Sequence, residues 1–272
     1  MTSKLPGPSE FNQLASHFDR FLPQIHPVSV AVLERLPALA AGQTVLDVAC
    51  GTGEPGLTLG GRAPEVQLLG VDEAEALIGV AQGKVKHEGL ANARFSLMPM
   101  DALKLADASV DALISRFGLL MFCDIPASAR EAVRVLRVRG AFSLAVWDDP
   151  AENRLMNAVV SILRAHLPQE RGMAMDTLRE WAAPGRRTAL LEEIGFGPVH
   201  TEMFGWEYRF ASFDDAWDMV SGMGKFTGQA DLTPDAQAQV RQQLQAALTA
   251  YRQADDQYVI PHACRLLWGR RA

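Results

Sequence analysis

A glycine-rich turn between a strand and a helix constrains this chain most. Residues 44–48 are apolar or β-branched apart from one aspartate, which predicts a short buried strand. Gly51, Gly53 and Gly56 follow at GxGxxG spacing, and an apolar helical pattern starts next. Glycine allows positive φ and a close approach of backbone to ligand, and the first turn of a helix offers free N–H groups. The unit therefore predicts a ligand-binding turn at the edge of an α/β sheet.

Strands and helices then alternate along the chain. Apolar runs predict four more strands before residue 148, with helices between them, and this alternation is typical of a parallel sheet with helices on both faces. Two further strands follow after residue 198. The predicted strands after the first are 66–72, 94–98, 110–115, 141–147, 199–210 and 258–268, and the clearest helices are 75–88 and 126–137.

The 272 residues fit a single domain with insertions. Residues 1–40 form a predicted helical cover, with one helix from Ser9 that Pro23 ends and a second after Pro27. Residues 41–150 form the predicted core. Residues 151–182 and 212–256 are predicted helical insertions. These insertions leave from or near the carboxyl edge of the strands, where α/β sheets bind ligands, so they are expected to wall a substrate pocket rather than only pad the core.

Composition excludes several classes of function. The net charge is −6 and Lys and Arg do not cluster, which disfavours a nucleic-acid partner. The N-terminus lacks a signal-peptide pattern and no apolar run approaches 20 residues, so we expect a cytoplasmic protein without a membrane partner. The three cysteines form no CxxC pair, and we expect no metal. The insertions offer surfaces on which two copies could form a homodimer.

Asp72 ends the second predicted strand about 20 residues after the glycines, where an acid can bind ribose hydroxyls. The turn and this acid fit a nicotinamide enzyme as well as an S-adenosylmethionine (SAM) enzyme. Further segments favour the second. Residues 45–53, 70–78, 95–111, 115–122 and 131–140 together resemble class I SAM-dependent methyltransferases, of the type found in ubiquinone and menaquinone biosynthesis. The resemblance is continuous over about residues 40–150.

This resemblance implies a doubly wound, seven-stranded, mostly parallel Rossmann-like α/β sheet whose last strand is antiparallel, with helical insertions. It also implies SAM as cofactor. The methionine end would lie at Asp47, Ala49, Cys50, Gly51, Gly53 and the main chain of Arg116; the ribose at Asp72; and the adenine at Glu73, Asp101 and Ala102. Three departures from the family stand out: Ala49 where glycine is frequent, Glu73 where an apolar residue is common, and Val138-Arg139-Gly140 where Pro-Gly-Gly is frequent.

The implied activity is transfer of the methyl group of SAM to a small molecule by in-line displacement, which depends largely on positioning the acceptor. Phe18, Phe117 and Trp147 are candidates for an apolar or aromatic acceptor pocket. A general base is needed only where the acceptor must lose a proton. His26 is the favoured candidate base because the N-terminal segment commonly covers the site in similar enzymes; the others are His17, His166, His200 and His262.

Two other functions remain open at this point. An NAD(P)-dependent oxidoreductase would use the same turn and acid, although no Tyr-x-x-x-Lys pair supports the short-chain dehydrogenase type. A protein of methyltransferase fold could also hold SAM structurally and perform another reaction, such as a cyclisation. Comparison of cofactor binding distinguishes the oxidoreductase from a methyltransferase. The protein with another reaction would have the same cofactor motif as a methyltransferase, so the sequence does not separate these two.

Overall fold

The computed structural model describes residues 8–122, 124–148, 150–167 and 180–272. Its strands are β1 (Thr44–Val48), β2 (Gln67–Asp72), β3 (Ala93–Leu97), β4 (Val110–Arg116), β5 (Leu136–Val146), β6 (His200–Phe210) and β7 (Tyr258–Arg270). Its helices are α1 (Pro8–Glu34), α2 (Gly56–Arg62), α3 (Glu75–Glu88), α4 (Ile125–Val135), α5 (Arg154–Leu163), α6 (Arg186–Glu193), α7 (Phe213–Gly222), α8 (Gly224–Thr227) and α9 (Pro234–Leu248).

The seven strands form one sheet in the order β3-β2-β1-β4-β5-β7-β6. The first five strands pair in parallel, and β7 lies antiparallel between β5 and β6. This confirms the predicted α/β sheet with an antiparallel last strand. After β3 the chain crosses back to form β4 beside β1, so the switch point at which such sheets bind ligands lies between the carboxyl ends of β1 and β4.

Apolar residues cover both faces of the sheet. One face packs against α1, α5, α7 and α9, and the other packs against α4 and α6. A smaller cluster joins α2 and α3 to the β2–β3 end of the sheet. No helix within the described ranges is long and apolar enough to span a membrane.

The N-terminal segment differs from its prediction. One continuous helix, α1, runs through Pro23 and Pro27, where the sequence predicted two helices. Each internal proline costs a helix about 3 kcal/mol. Ile25, Val28 and Val32 are at most 2% exposed, and full burial of each contributes roughly 1.5–3 kcal/mol. Packing of this face against the sheet therefore offsets the cost of keeping the two prolines inside the helix.

The fifth strand also differs from its prediction. Helix α4 ends at Val135, and β5 starts at Leu136 rather than at residue 141. Leu136 pairs with Val110 and Ala141 pairs with Ala112, so residues 137–140 arch outward opposite Asp111. The turn that the sequence predicted before this strand is therefore a loop within the strand. Arg139 in this loop adopts a left-handed backbone conformation, with φ +64°.

Both predicted insertions start at the carboxyl edge of the sheet, because β6 ends at the same edge as β5. The first contains α5, which packs against α9 and β7; part of its predicted extent, residues 168–179, lies outside the described residues. The second contains α7, α8 and α9. Their role as walls of a substrate pocket stays a prediction.

Candidate functional site

The glycine turn lies at the carboxyl end of β1 and is held by its own backbone. Gly51 and Gly53 have φ of +55° and +110°, and Ala49 has φ +56°. The N–H of Cys50 donates to the Val71 carbonyl at 3.0 Å, and the N–H of Gly53 donates to the Cys50 carbonyl at 2.9 Å. These bonds fix a tight turn whose positive φ values favour glycine. The structure therefore brings the predicted residues 49–53 together, with their amides shaping the turn.

Asp47 lies beneath this turn and is completely buried. Its Oδ2 accepts a hydrogen bond from the Gly56 N–H at 2.9 Å. Its Oδ1 has no hydrogen-bond partner among the described residues. Burial raises the pKa of this carboxyl well above its usual value, while the Gly56 amide and the charge of Arg116 act in the opposite direction. A buried oxygen without a donor is costly, so this position is suited to a ligand that donates hydrogen bonds.

Asp72 lies at the end of β2, beside the turn. Its Oδ2 accepts from the Gly51 N–H and its Oδ1 from the Ala74 N–H, both at 2.9 Å. Burial raises the pKa of this carboxyl, and the two amides oppose that effect. Each oxygen keeps a further lone pair, which matches the predicted acceptance of ribose hydroxyls. Glu73 follows it and is half-buried.

Asp101 and Ala102 follow β3 at the same edge of the sheet, and both are exposed. The Ala102 N–H donates to the Pro99 carbonyl at 3.4 Å, a long bond that a ligand acceptor could replace. Arg134 on α4 holds the loop that follows, because its guanidinium donates to the carbonyls of Leu103 and Leu105 at 2.8 and 2.7 Å. The adenine contacts assigned to Asp101 and Ala102 stay predictions.

Helix α1 covers the turn directly. The Phe18 ring lies 3.4 Å from where a Cβ on Gly51 would stand. Asp19 Oδ1 accepts from the Thr52 hydroxyl and from Lys84 Nζ, both at 2.7 Å, and Lys84 also donates to the Thr52 carbonyl at 3.1 Å. The cover is thus bonded to the turn and to α3. Sequence reasoning missed this triad, since its members are 33 and 65 residues apart.

The side chain of Arg116 is a second feature that sequence reasoning missed. It is 8% exposed, its Nη1 donates to the Ser29 hydroxyl on α1, and its Nε has no partner among the described residues. Burial lowers the pKa of the guanidinium to about 10, while Glu54 and Asp47 act in the opposite direction. Arg116 therefore stays charged at neutral pH, next to the carboxyl edge where the glycine turn lies.

A cleft of about 330 Å³ lies between α1 and this edge. That volume is within the range of small-molecule sites. It contains the favoured candidate base, and it carries charged groups of both signs. Its lining residues are Asp19, Leu22, Pro23, His26, Glu54, Lys84 and Arg116. The structure thus places His26 at the site, and its role as a base stays a prediction.

The predicted pocket residues Phe117 and Trp147 stack on each other in parallel, with ring centroids 3.8 Å apart. Phe117 has φ +60°, and a Cβ on the next residue, Gly118, would stand 2.2 Å from Ala49 Cβ. The end of β4 therefore packs tightly on the glycine turn. Phe18, by contrast, packs on the turn itself rather than with these two rings.

Comparisons with known proteins follow the same regions. A family described as a methyltransferase domain matches residues 45–140. The chain is 37% identical over 134 residues to a demethylmenaquinone methyltransferase of Porphyromonas gingivalis, covering 46% of this chain and 54% of that protein. The residues that match the family include the turn, Asp72, Asp101 and Arg116. Residues 45–140 of this chain therefore form a methyltransferase domain.

Solved structures agree with this methyltransferase domain in fold. The YcgJ protein of Bacillus subtilis is 19% identical with a TM-score of 0.60, covering 91% of this chain and 99% of that one. A Haemonchus contortus phosphoethanolamine N-methyltransferase 2, solved with S-adenosylhomocysteine, is 14% identical with a TM-score of 0.59, covering 94% of this chain and 57% of that one. The chain spans about half the length of the first curated relatives that it matches.

The methyltransferase site fits the family's cofactor, SAM. Its methionine end carries an ammonium, and the unpartnered Oδ1 of Asp47 is a buried acceptor that can take such a donor. Gly51 and Gly53, where φ is positive, add no side chain of their own to the turn. Asp72 is already oriented by two amides. The donors and acceptors at this edge therefore match the resident group of the family.

Proposed function

We propose that this protein transfers the methyl group of SAM to a small-molecule acceptor by in-line displacement. The observation that carries the proposal is the buried, unpartnered Oδ1 of Asp47 beneath the glycine turn. SAM supplies an activated methyl group on a sulfonium. The chain binds the methionine end at Asp47, the ribose at Asp72 and the adenine at Asp101 and Ala102, and it orients the acceptor next to the methyl group.

The surroundings support a small acceptor. The cleft of about 330 Å³ beneath α1 could hold a small molecule, and the chain's net charge of −6 is unfavourable for a nucleic acid. One relative is named for demethylmenaquinone and a structural neighbour for phosphoethanolamine, so the names alone leave the acceptor atom open.

The test measures formation of S-adenosylhomocysteine. Purified protein is incubated with SAM and, one at a time, with phenols, enols, amines and carboxylates, and the product is quantified by mass spectrometry. We expect product that depends on one acceptor class, and a loss of at least tenfold in kcat/KM for Asp72→Asn. Asp235→Asn is the matched control, because Asp235 is exposed in the first turn of α9.

Two results would overturn the proposal. Acceptor-dependent oxidation of NADH or NADPH without S-adenosylhomocysteine would favour the oxidoreductase. Conversion of an added compound that needs bound SAM but leaves it unchanged would favour a methyltransferase fold used for another reaction.

A further inference from the structure

Five aromatic side chains extend from the cofactor edge into the sheet beneath α1; we call them the aromatic cluster. They are Phe117, Trp147, Trp206, Tyr208 and His262. Phe117 stacks on Trp147, and Trp147 lies 5.8 Å from Trp206 between ring centroids. Tyr208 and His262 stack at 3.8 Å, and Trp206 lies 5.9 Å from both. The cluster therefore leads from the glycine turn to β6 and β7.

Polar atoms in and beside this cluster lack partners. Trp206 Nε1, Tyr208 Oη, His262 Nε2 and Arg116 Nε are buried and make no hydrogen bond to any residue that the structure describes. The four residues are 8%, 0%, 3% and 8% exposed. Each buried polar group without a partner costs about 1–3 kcal/mol. Four such groups so close together indicate a site whose partners come from a bound molecule.

The geometry of His262 makes it a proton acceptor. Its Nδ1 lies 3.0 Å from the Ile260 carbonyl, which can only accept, so Nδ1 carries the hydrogen and Nε2 holds a lone pair. Burial lowers the pKa of this imidazole to about 4, and Arg154 on α5 lowers it further while the Ile260 carbonyl opposes both. His262 is therefore neutral at pH 7.

The groups that face His262 favour an acceptor that becomes an anion. Arg154 on α5 is the charged group that acts on it, and Tyr208 on β6 is kept neutral by burial, which raises the pKa of its hydroxyl well above the usual value. Cys264 on β7 is likewise neutral, because burial raises its pKa. Arg116 on β4 acts electrostatically on Tyr208. The buried guanidinium of Arg116 would repel an ammonium and stabilise a phenolate or enolate.

We propose that the aromatic cluster is the acceptor site and that His262 is the general base for a planar acceptor with an ionisable hydroxyl, a phenol or an enol. This rests on the proposed methyl transfer. The cleft reaches Arg116, and the acceptor would pass from there to the unpartnered polar atoms of the cluster. Its O–H bond breaks as its oxygen bonds the methyl carbon; the proton goes to His262 Nε2 and then to water, and the electron pair of the broken S–C bond stays on sulfur.

The first test measures binding of 4-nitrophenol, whose absorbance separates phenol from phenolate, at pH 7 with saturating S-adenosylhomocysteine. We expect saturable 1:1 binding that quenches tryptophan fluorescence. His262→Gln and Tyr208→Phe should each weaken it roughly tenfold. The matched control is His87→Gln, since His87 is exposed in the last turn of α3. S-adenosylhomocysteine affinity and thermal unfolding of each variant report whether the fold and the cofactor site are intact.

The second test is the pH profile of methyl transfer to 4-nitrophenol and to phenol. Loss of a general base should reduce kcat/KM at pH 7 by roughly 10²-fold or more, and more for phenol, the weaker acid. In His262→Gln the rate should recover as the pH rises, because the acceptor then ionises without a base. If His262 has only a structural role, the substitution should lower kcat/KM for both substrates by the same factor at all pH values.

The outcomes are distinguishable. If the wild type binds S-adenosylhomocysteine but not 4-nitrophenol, or if choline binds in its place, the acceptor site is wrong while the proposed function stands. If His26→Gln shows the pH-dependent loss of kcat/KM and His262→Gln does not, the assignment of His262 as the general base is wrong. If S-adenosylhomocysteine itself does not bind, the proposed function fails and this inference fails with it.

Discussion

The contact between Gly118 and Ala49 gives a sharp prediction about how the cofactor turn is held. A Cβ on residue 118 would stand 2.2 Å from Ala49 Cβ, whereas carbon atoms normally approach to 3.5–4.0 Å. Both atoms are attached to backbone, so no side-chain rotation relieves the clash, and β4 and the turn must separate by more than about 1 Å. We expect Gly118→Ala to lower the free energy of unfolding by about 1–3 kcal/mol.

Ala49→Gly should reverse this loss. It removes the clashing Cβ and relieves the left-handed φ of +56°, worth about 1 kcal/mol, although glycine's greater freedom in the unfolded chain offsets much of that in the single variant. In the Gly118→Ala background, Ala49→Gly should restore about 1–3 kcal/mol and recover S-adenosylhomocysteine affinity, which the single Gly118→Ala change should weaken about tenfold.

Urea denaturation of the four proteins in this double-mutant cycle measures the coupling directly. Gly79→Ala is the control partner: Gly79 is exposed within α3 and nothing lies within 4 Å of its added Cβ, so it should stabilise the protein by about 0.5–1 kcal/mol without coupling to residue 49. Strictly additive effects of Gly118→Ala and Ala49→Gly would refute the packing of β4 on the turn.

Three further predictions concern stability and are checked by denaturation with urea. Asn92→Ala should cost about 2 kcal/mol, because the buried amide donates to the carbonyls of Gly60, Ala63 and Val66 at 3.1, 3.3 and 3.0 Å; an unchanged midpoint would contradict this. Asp124→Ala should cost about 1 kcal/mol by removing the cap of α4, in which Asp124 accepts from the Ala127 N–H at 2.9 Å, and Asp124→Asn should keep most of it. The pKa of His262 is lowered to about 4 in the folded protein, so as the pH falls the unfolded chain binds a proton at this residue first. Between pH 7 and pH 5 the free energy of unfolding of the wild type should therefore fall by about 2 kcal/mol more than that of His262→Gln. Equal losses would show that His262 is not buried as a neutral group.

Local sequence patterns predicted most of the sheet because its strands are short, buried and bounded by glycine or polar residues. The caps of the late helices are equally local, because Ser212 and Thr233 each accept from the N–H three residues further on. The two errors at β5 and α1 arose where tertiary contacts override local preference. Pro23 and Pro27 stay helical because the opposite face of α1 is buried, and Leu136 joins the sheet through Val110, 26 residues earlier.

The candidate site divides in the same way. Asp47, Gly51 and Gly53 lie within a single turn, and Asp72 follows at a fixed spacing, so their proximity could be predicted. Contacts across long sequence separations could not be: Arg116 meets Ser29 across 87 residues.

The histidines show the same limit. Sequence alone could not separate exposed His26 from buried His262, because that difference arises only when β6, β7 and α5 pack together.

Isothermal titration with S-adenosylhomocysteine, NADH and NADPH tests the central claim most directly. The account predicts 1:1 binding of S-adenosylhomocysteine, weakened at least tenfold in Asp72→Asn and unchanged in Asp235→Asn, with no binding of either nicotinamide cofactor. Binding of a nicotinamide cofactor without S-adenosylhomocysteine would contradict the assignment of Asp47, Asp72 and the glycine turn to SAM.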